Sequence, residues 1–162
     1  MKSPSCIFLD RDGILIEERG EYSYLPEHFQ MVKGCGEALR ELQKKGYIFI
    51  VVTNQGGVAL GLYTEAEVHQ MHGRISGYLS QFDVAIREYY YCPHHSKVSQ
   101  CLCRKPGSLM LEKAIARFKI DAANSWFIGD NARDIEAGAA AGVRTLLVPS
   151  NADLRNYADE RF

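Results

Sequence analysis

The chain has 162 residues, about the length of one domain, and its formal net charge at pH 7 is -1. Its 46% hydrophobic and 24% charged residues are typical of an ordinary globular protein, which excludes a disordered or fibrous chain. The 19 Lys and Arg residues against 20 Asp and Glu residues lack the basic excess of nucleic-acid-binding proteins. We therefore expect no nucleic-acid partner.

The sequence contains no apolar run that approaches the ~20 residues of a membrane span, and its first ten residues contain a predicted strand. We therefore expect a cytoplasmic protein with no membrane partner. Its five cysteines are an odd number, and Cys101 and Cys103 are too close in sequence for an easy mutual disulfide. Reduced thiols, some of them on a metal, fit this pattern better than a secreted disulfide framework.

The first half of the chain has the pattern of a βαβ unit. Residues 6–9 form a short apolar run that predicts a buried strand ending at Asp10. Apolar residues at helical spacing predict a helix over 34–45, stopped by Gly46, and the apolar run 47–52 predicts a second buried strand. A crossover helix between two apolar strands implies that the strands pair in parallel.

The second half continues the alternation. Thr64 and Glu67 have capping-box spacing, which predicts a helix from there to about Ser80. The next elements are predicted as strand, helix, strand, helix and strand over 84–91, 108–118, 125–128, 132–141 and 143–148. Residues 92–103 lack periodicity and are predicted to be a loop. The prediction is an α/β fold with a doubly wound, mainly parallel sheet, in a single domain over residues 1–162.

Four predicted strands end in polar residues, at the edge of the sheet where doubly wound folds bind ligands. These residues are Asp10 and Asp12, Thr53 and Asn54, Cys92 and His94, and Asp130. Each group alone has an ordinary explanation, such as an acidic turn or a charge that favours a helix dipole. Because they occur together at four strand ends, we predict one shared site.

Arg104 and Lys105 place two positive charges at the start of a predicted helix, which is typical of a phosphate site, although a solvated helix cap explains them as well. Thr53 and the free backbone N–H groups after it can hold an oxyanion, although a plain βα turn has the same pattern. Residues 56–57 are too short a glycine run for a dinucleotide fingerprint, so we predict no nucleotide cofactor.

The order of these motifs resembles that of the haloacid dehalogenase superfamily, whose phosphatases use an aspartate nucleophile. Residues 10–13 resemble the first motif, Thr53 the second, Lys105 the third and residues 129–134 the fourth. The resemblance covers essentially the whole domain. It implies the fold of that family, and the chain has no insertion long enough for a large cap domain.

By this resemblance, the reaction is a Mg²⁺-dependent phosphoryl transfer in which Asp10 attacks phosphorus and forms an aspartyl phosphate. Asp12 is expected to act as the general acid and base. The expected Mg²⁺ ligands are the side chains of Asp10 and Asp130 and the backbone carbonyl of Asp12.

The resemblance also implies roles for the remaining motif residues. Thr53 and Lys105 are expected to hold the transferring phosphoryl oxygens, and Asp134 to orient Lys105 or a metal-bound water. The residues expected to bind the substrate are Asn54, Gln55, Arg104 and Lys105.

A second group of residues has the composition of a structural zinc site. Cys92, His94, Cys101 and Cys103 form a closed Cys₃His set in one loop, over 92–103. The alternative is an ordinary cysteine-rich loop, and His95 is an alternative ligand to His94. The other two cysteines, Cys6 and Cys35, are predicted to be small core residues.

The zinc loop resembles that of the histidinol-phosphate phosphatase-like subgroup, which includes heptose bisphosphate phosphatases. This implies a small sugar bisphosphate as substrate, with the 7-phosphate of D-glycero-D-manno-heptose 1,7-bisphosphate as the reacting group and histidinol phosphate as the alternative. In this interpretation the zinc holds the loop so that Arg104 faces the second phosphate or the sugar of the substrate, while Lys105 faces the reacting phosphate. A phospho-accepting receiver module is the alternative from another class, but it leaves Asp12 and the zinc loop unexplained. We expect a monomer.

Overall fold

The computed structural model describes residues 2–162. Its strands and longer helices, in chain order, are β1 (Cys6–Leu9), α1 (Cys35–Lys44), β2 (Ile48–Asn54), α2 (Glu65–Ser80), β3 (Ile86–Cys92), α3 (Leu109–Phe118), β4 (Trp126–Gly129), α4 (Ala132–Ala140) and β5 (Arg144–Leu147). Every predicted element is present in the predicted order, with ends shifted by at most two residues. The capping box of α2 is also confirmed, since the Glu67 N–H donates to Thr64 Oγ1 over 3.3 Å.

The five strands form one sheet in the order β3-β2-β1-β4-β5, and all four neighbouring pairs are parallel. The chain builds the sheet outwards from β1 to β3 and then crosses to β4 on the other side of β1. In such a doubly wound sheet the crevice at this switch point, outside the carboxyl ends of the strands, is where ligands bind. The predicted fold class is confirmed.

The side chains of β1 explain why its sequence is apolar throughout. Ile7 and Leu9 pack into one core with residues of α1 and α2, whereas Cys6 and Phe8 pack into a second core with residues of α3 and α4. Because helices cover both faces of the sheet, both sets of side chains are removed from water. Each large apolar side chain buried in this way stabilises the fold by about 1.5–3 kcal/mol.

The connection from β3 to α3 spans residues 93–108 and contains most of the zinc loop. The longest connection between these elements is residues 10–34, between β1 and α1. This segment contains one turn of 3-10 helix at Pro26–His28 and is too short to form a large cap domain. None of the helices in residues 2–162 combines the length and apolarity that crossing a membrane requires.

Candidate active site

The carboxyl ends of β1 and β4 bring Asp10 and Asp130 together. Asp10 directly follows β1 and Asp130 directly follows β4, and the two strands pair in the centre of the sheet. Asp10, Asp130 and Asp134 each offer a carboxylate oxygen, and these oxygens lie within 4.8 Å of one another. Carboxylates at this separation are suited to a hard cation such as Mg²⁺.

Asp10 and Asp130 face a cavity of about 670 Å³, which is large enough for a small organic ligand. The residues that line it are Asp10, Arg11, Asp12, Glu18, Gly20, Glu21, Tyr22, Ser23, Thr53, Asn54, Gln55, Asp130, Asn131, Arg133 and Ser150. Most of these residues lie at or after the carboxyl ends of β1, β2 and β4, as the sequence predicts. The segment after β1 provides another wall. The prediction of one shared site was wrong for Cys92 and His94, which do not line the cavity and belong to a separate cluster.

Lys105 connects two of the carboxylates. Its Nζ lies 3.0 Å from Asp10 Oδ1 and 2.7 Å from Asp134 Oδ1, and it donates a further hydrogen bond to the Val52 carbonyl over 2.8 Å. Lys105 is 2% exposed and Asp134 is fully buried, so water screens these ion pairs very little. Of the two tasks expected for Asp134, this geometry supports the orientation of Lys105.

Asp10 is held in a site that disfavours its charge. Burial raises the pKa of Asp10 to about 6, although the nearby ammonium of Lys105 acts in the opposite direction. The neighbouring carboxylates of Asp134 and Asp12 add to the increase. A carboxylate in this position gains from any cation that binds beside it.

Asn54 fixes the backbone of Lys105. Its Nδ2 donates to the Lys105 carbonyl over 3.1 Å, and its Oδ1 accepts from the Lys105 N–H over 3.0 Å. Asn54 also lines the cavity, but both polar atoms of its side chain are used in this clamp. The structure therefore gives Asn54 a positioning task, and its contact with substrate stays a prediction.

Asp12 is held from two sides. Arg11 Nη2 donates to Asp12 Oδ1 over 3.1 Å, and Gln55 Nε2 donates to Asp12 Oδ2 over 3.1 Å. Gln55 also donates to Thr53 Oγ1 over 2.9 Å, and its Oε1 accepts from the Tyr63 hydroxyl over 2.7 Å. Gln55 is only 2% exposed, so its main contacts are with protein, and substrate binding by Gln55 stays a prediction.

A glycine allows the close approach of the two strand ends. Gly13 has a φ of +85°, and a Cβ atom added there would overlap the Asp130 carboxylate. Any other residue would therefore be strained and would push Asp130 away. The Ser150 hydroxyl, which the sequence analysis did not identify, donates a hydrogen bond to Asp130.

The zinc-loop residues converge at the end of β3. Cys92 Sγ lies 3.4 Å from His94 Nδ1, 3.7 Å from Cys101 Sγ and 3.1 Å from Cys103 Sγ. The distance from His94 Nδ1 to Cys103 Sγ is 3.2 Å. A tetrahedral Zn²⁺ with normal bond lengths separates such ligand atoms by about 3.5–3.8 Å, so the four residues fit the ion with small shifts.

His95, the alternative ligand, and the other two cysteines of the chain lie outside this cluster. His95 Nδ1 accepts a hydrogen bond from the Lys97 N–H over 3.1 Å, so the geometry favours His94 over His95 as the ligand. Cys6 and Cys35 are fully buried in the core, as predicted. None of the five cysteines is in a disulfide.

Arg104 contacts the backbone of the zinc loop. Its Nη1 donates to the His94 carbonyl over 3.1 Å, and it lies close to Gly56, where an added Cβ would be 3.0 Å from the same nitrogen. Arg104 is absent from the residues that line the cavity. In this structure it braces the zinc loop, and its contact with a second phosphate stays a prediction.

Besides Ser150, the sequence analysis did not identify Arg11, Arg133 or the Tyr63 hydroxyl behind Gln55. Arg11 is 1% exposed although it stands between two aspartates in a segment that has the sequence of a polar turn. Arg133 lies on α4, where the sequence pattern indicates only a polar helix position. The sequence does contain one indication of Arg133: it is a positive residue in the first turn of a predicted helix, where negative residues are favoured.

The chain was compared with known families and proteins. A family model described as HAD-hydrolase-like matches residues 102–160. The chain is 40% identical to the D-glycero-beta-D-manno-heptose-1,7-bisphosphate 7-phosphatase of Salmonella typhi, with 98% of this chain and 89% of the relative covered. It is 42% identical to the protein of the same name from Haemophilus influenzae, with 86% and 78% covered.

Solved structures give the same result. The D,D-heptose 1,7-bisphosphate phosphatase of B. bronchiseptica, complexed with magnesium and phosphate, superposes with a TM-score of 0.85 at 28% identity, covering 95% of this chain and 86% of that chain. The corresponding enzyme of Burkholderia thailandensis gives a TM-score of 0.64 at 30% identity, covering 95% and 84%. The chain belongs to the haloacid dehalogenase-like hydrolase family and is an enzyme of its phosphatase group.

Proposed function

We propose that the chain is a Mg²⁺-dependent phosphatase that removes the 7-phosphate of D-glycero-D-manno-heptose 1,7-bisphosphate through an aspartyl phosphate on Asp10. The observation that carries the mechanism is the contact of Asp10 with Lys105, beside an Asp12 that two hydrogen bonds hold in one orientation. The substrate is inferred from the curated relatives at about 40% identity that carry this activity in their names.

In the first step, an oxygen of the Asp10 carboxylate attacks phosphorus and the bond from phosphorus to the sugar oxygen breaks. Asp12, protonated at that moment, gives its proton to the leaving sugar oxygen. Lys105 lies 3.0 Å from Asp10 and can contact the transferring phosphoryl oxygens as they approach. The Thr53 hydroxyl at the end of β2 is placed to do the same.

In the second step, water attacks the phosphorus of the aspartyl phosphate, and the bond to the Asp10 oxygen breaks. Asp12, now ionised, takes the proton of that water and returns to its starting state. The two hydrogen bonds from Arg11 and Gln55 keep the Asp12 carboxylate in place for both transfers. Inorganic phosphate and the sugar 1-phosphate are the products.

The side chains of Asp10 and Asp130 and the backbone carbonyl of Asp12 would hold the Mg²⁺ ion. The close approach of Asp10 and Asp130 supports this assignment. Asp134 forms an ion pair with Lys105, so we assign it the task of positioning Lys105 and do not count it as a Mg²⁺ ligand. A bound Mg²⁺ would neutralise the repulsion between an anionic nucleophile and an anionic phosphate.

We propose that Zn²⁺ binds Cys92, His94, Cys101 and Cys103 as a structural ion. These four residues supply a complete tetrahedral set, which leaves no open position for catalysis. The cluster ties the end of β3 to Cys103, two residues before Lys105. The zinc site thus supports the position of Lys105 from outside the reaction centre.

Two further points belong to the same proposal. Residues 1–162 act as one phosphatase domain, with one sheet and one cavity at its switch point. The protein is cytoplasmic, and its five free cysteines suit a reducing compartment. It is a monomer. Light scattering of the purified protein tests the monomer, since a dimer would double the measured mass.

The experiment that tests the proposal is phosphate release from heptose 1,7-bisphosphate and from histidinol phosphate, side by side, with Mg²⁺ and with Asp10→Asn as the blank. We expect turnover of the bisphosphate that Asp10→Asn abolishes. A preference for histidinol phosphate would keep the mechanism and replace the substrate. A stable acyl phosphate on Asp10 without turnover of either compound would move the chain to the receiver class.

A further inference from the structure

Arg133 is a positively charged side chain of the cavity that has no protein partner of opposite charge. It stands in the first turn of α4 and lines the cavity together with Asp10 and Asp130. Its Nε is buried and has no hydrogen-bond partner. Across residues 2–162 no carboxylate lies within salt-bridge distance of its guanidinium. A partly buried cation left in this state is costly unless a ligand pairs with it.

The other cations near the cavity are already engaged. Arg11 donates to Asp12 and to the Ser23 carbonyl, both over 3.1 Å. Lys105 is held between Asp10 and Asp134. Arg133 is therefore the positive group of the cavity wall that remains free to pair with an anion.

The position of Arg133 in its helix also indicates a role in ligand binding. The N-terminus of a helix carries a partial positive charge, so an arginine in the first turn is unfavourable, whereas the nearby Asp134 is favourable. Asn131 already caps this helix through a 3.1 Å hydrogen bond from the Arg133 N–H. Helix stability thus does not explain the arginine, and residues that break a local rule of this kind concentrate at functional sites.

The carboxylates of the cavity make a free cation more significant. Asp10, Asp12, Glu18, Glu21 and Asp130 all line it, so a ligand with two phosphates meets repulsion wherever no cation is available. The reacting phosphate has Lys105 and the Mg²⁺ ligands of the proposed function. A second phosphate on the same molecule needs a cation of its own.

We propose that Arg133 binds the second, non-reacting phosphate of a sugar bisphosphate and thereby selects bisphosphates over monophosphates. This inference rests on the proposed function, and it names the residue that recognises the substrate class. The planar guanidinium can hold two phosphate oxygens in a fixed bidentate geometry, whereas a lysine ammonium acts as a point charge. Arg104 does not line the cavity, and its Nη1 donates to the His94 carbonyl.

The test compares heptose 1,7-bisphosphate with heptose 7-phosphate, which lacks the second phosphate, in the Mg²⁺-loaded wild type, Arg133→Ala and Arg133→Lys. For the bisphosphate we expect Arg133→Ala to raise KM about 10- to 100-fold, as for loss of a charge-assisted hydrogen bond. For the monophosphate we expect no change in kcat or KM. Arg133→Lys should recover part of the loss.

Arg74→Ala is the matched control, because Arg74 is an exposed arginine on α2, outside the cavity. It should leave both substrates unaffected. An unchanged KM of Arg133→Ala for the bisphosphate, or an equal loss on both substrates, would overturn the role of Arg133 while the proposed function stands. A wild type that hydrolyses the monophosphate but not the bisphosphate would overturn the proposed substrate, and the role of Arg133 with it.

Discussion

Gln55 Nε2 donates a hydrogen bond to Asp12 Oδ2 over 3.1 Å, and the Tyr63 hydroxyl fixes the same amide by donating to its Oε1 over 2.7 Å. Burial raises the pKa of Tyr63, so its hydroxyl stays protonated and remains a donor. The amide can therefore adopt only one orientation, with its nitrogen towards Asp12. This arrangement connects the loop after β2 to the carboxylate that we assign to proton transfer.

Gln55→Met should lower kcat about 10- to 100-fold, because methionine fills a similar volume but cannot donate the hydrogen bond that orients the Asp12 carboxylate. The measurement is steady-state hydrolysis of the bisphosphate with Mg²⁺ present. Gln43→Met is the control, since Gln43 donates to the Asp83 carbonyl, far from the cavity. If Gln55→Met kept the kcat of the wild type, Asp12 would not depend on this contact.

Lys105→Met should destabilise the protein by about 3–5 kcal/mol at pH 8 in the absence of Mg²⁺, because it leaves Asp10 and Asp134 buried without their cation. Without Lys105, the pKa of Asp10 should rise further above its value in water. A carboxyl with a raised folded-state pKa lowers the stability of the fold as pH rises from its unfolded pKa to its folded pKa. The stability lost in Lys105→Met should therefore be smaller at pH 5 than at pH 8.

Urea unfolding at the two pH values checks this prediction. Lys113→Met is the control, because Lys113 is exposed on α3 and should change stability little at either pH. Adding Asp134→Asn to Lys105→Met should recover part of the loss at pH 8, since it removes one of the unpaired carboxylates. A loss that does not depend on pH would show that packing, and not charge, dominates at this position.

His72 should make the stability of the protein decrease in weak acid. Burial lowers the pKa of His72 to about 3, and the positive charge of Arg11 adds to this decrease. Its ring stacks on Tyr89 at 4.4 Å, and its Nε2 is buried without a hydrogen-bond partner. A histidine with a lowered folded-state pKa contributes stability above its unfolded pKa, near 6.5, which is lost as pH falls.

Between pH 8 and pH 5 this histidine should account for about 2 kcal/mol of lost stability. His72→Leu removes the titrating ring, so its unfolding free energy should fall less over that range than that of the wild type. Gln70→Leu, at an exposed position of the same helix, removes no titrating group and should keep the wild-type slope. Equal slopes for the wild type and His72→Leu would contradict the prediction.

The zinc site makes a prediction that does not involve activity. The purified protein should contain about one zinc ion per chain, and Cys101→Ser should lose most of it, because a tetrahedral site needs all four ligands. Cys35→Ser should keep its zinc, since Cys35 lies in the core, where its Sγ is 3.9 Å from the Leu15 carbonyl. Metal analysis and thermal melting with a chelator measure both effects. The absence of zinc from both the wild type and Cys35→Ser would contradict the assignment.

Most of the fold could be predicted from the sequence because the sheet is covered on both faces. Its strands are therefore short apolar runs, as at 6–9, and the helices between them carry clear stops and caps. An aspartate directly after an apolar run marks the end of a strand, so the convergence of Asp10 and Asp130 was predictable. The parallel pairing of their strands then brings the two residues together.

The contacts between side chains could not be predicted in the same way. The orientation of Gln55 depends on Tyr63, which reaches it from the following loop, and the sequence contains no periodicity that would pair them. The burial of Arg11 depends on the segment after β1, which folds over it and offers the Ser23 carbonyl. Arg104 donates to a carbonyl of the zinc loop, a contact that no sequence pattern indicates.

A Zn²⁺ ion on the Cys/His cluster would close the loop that begins at Cys92, the last residue of β3, and ends at Cys103, two residues before Lys105. Both ends of the loop would thus be fixed to one point, whatever path the chain takes between them. The segment 95–100 can then be lengthened, shortened or exchanged with little effect on the position of Lys105, because the entropic cost of closing a loop grows only slowly with its length. Evolution can therefore vary the surface that this segment presents without altering the reaction centre.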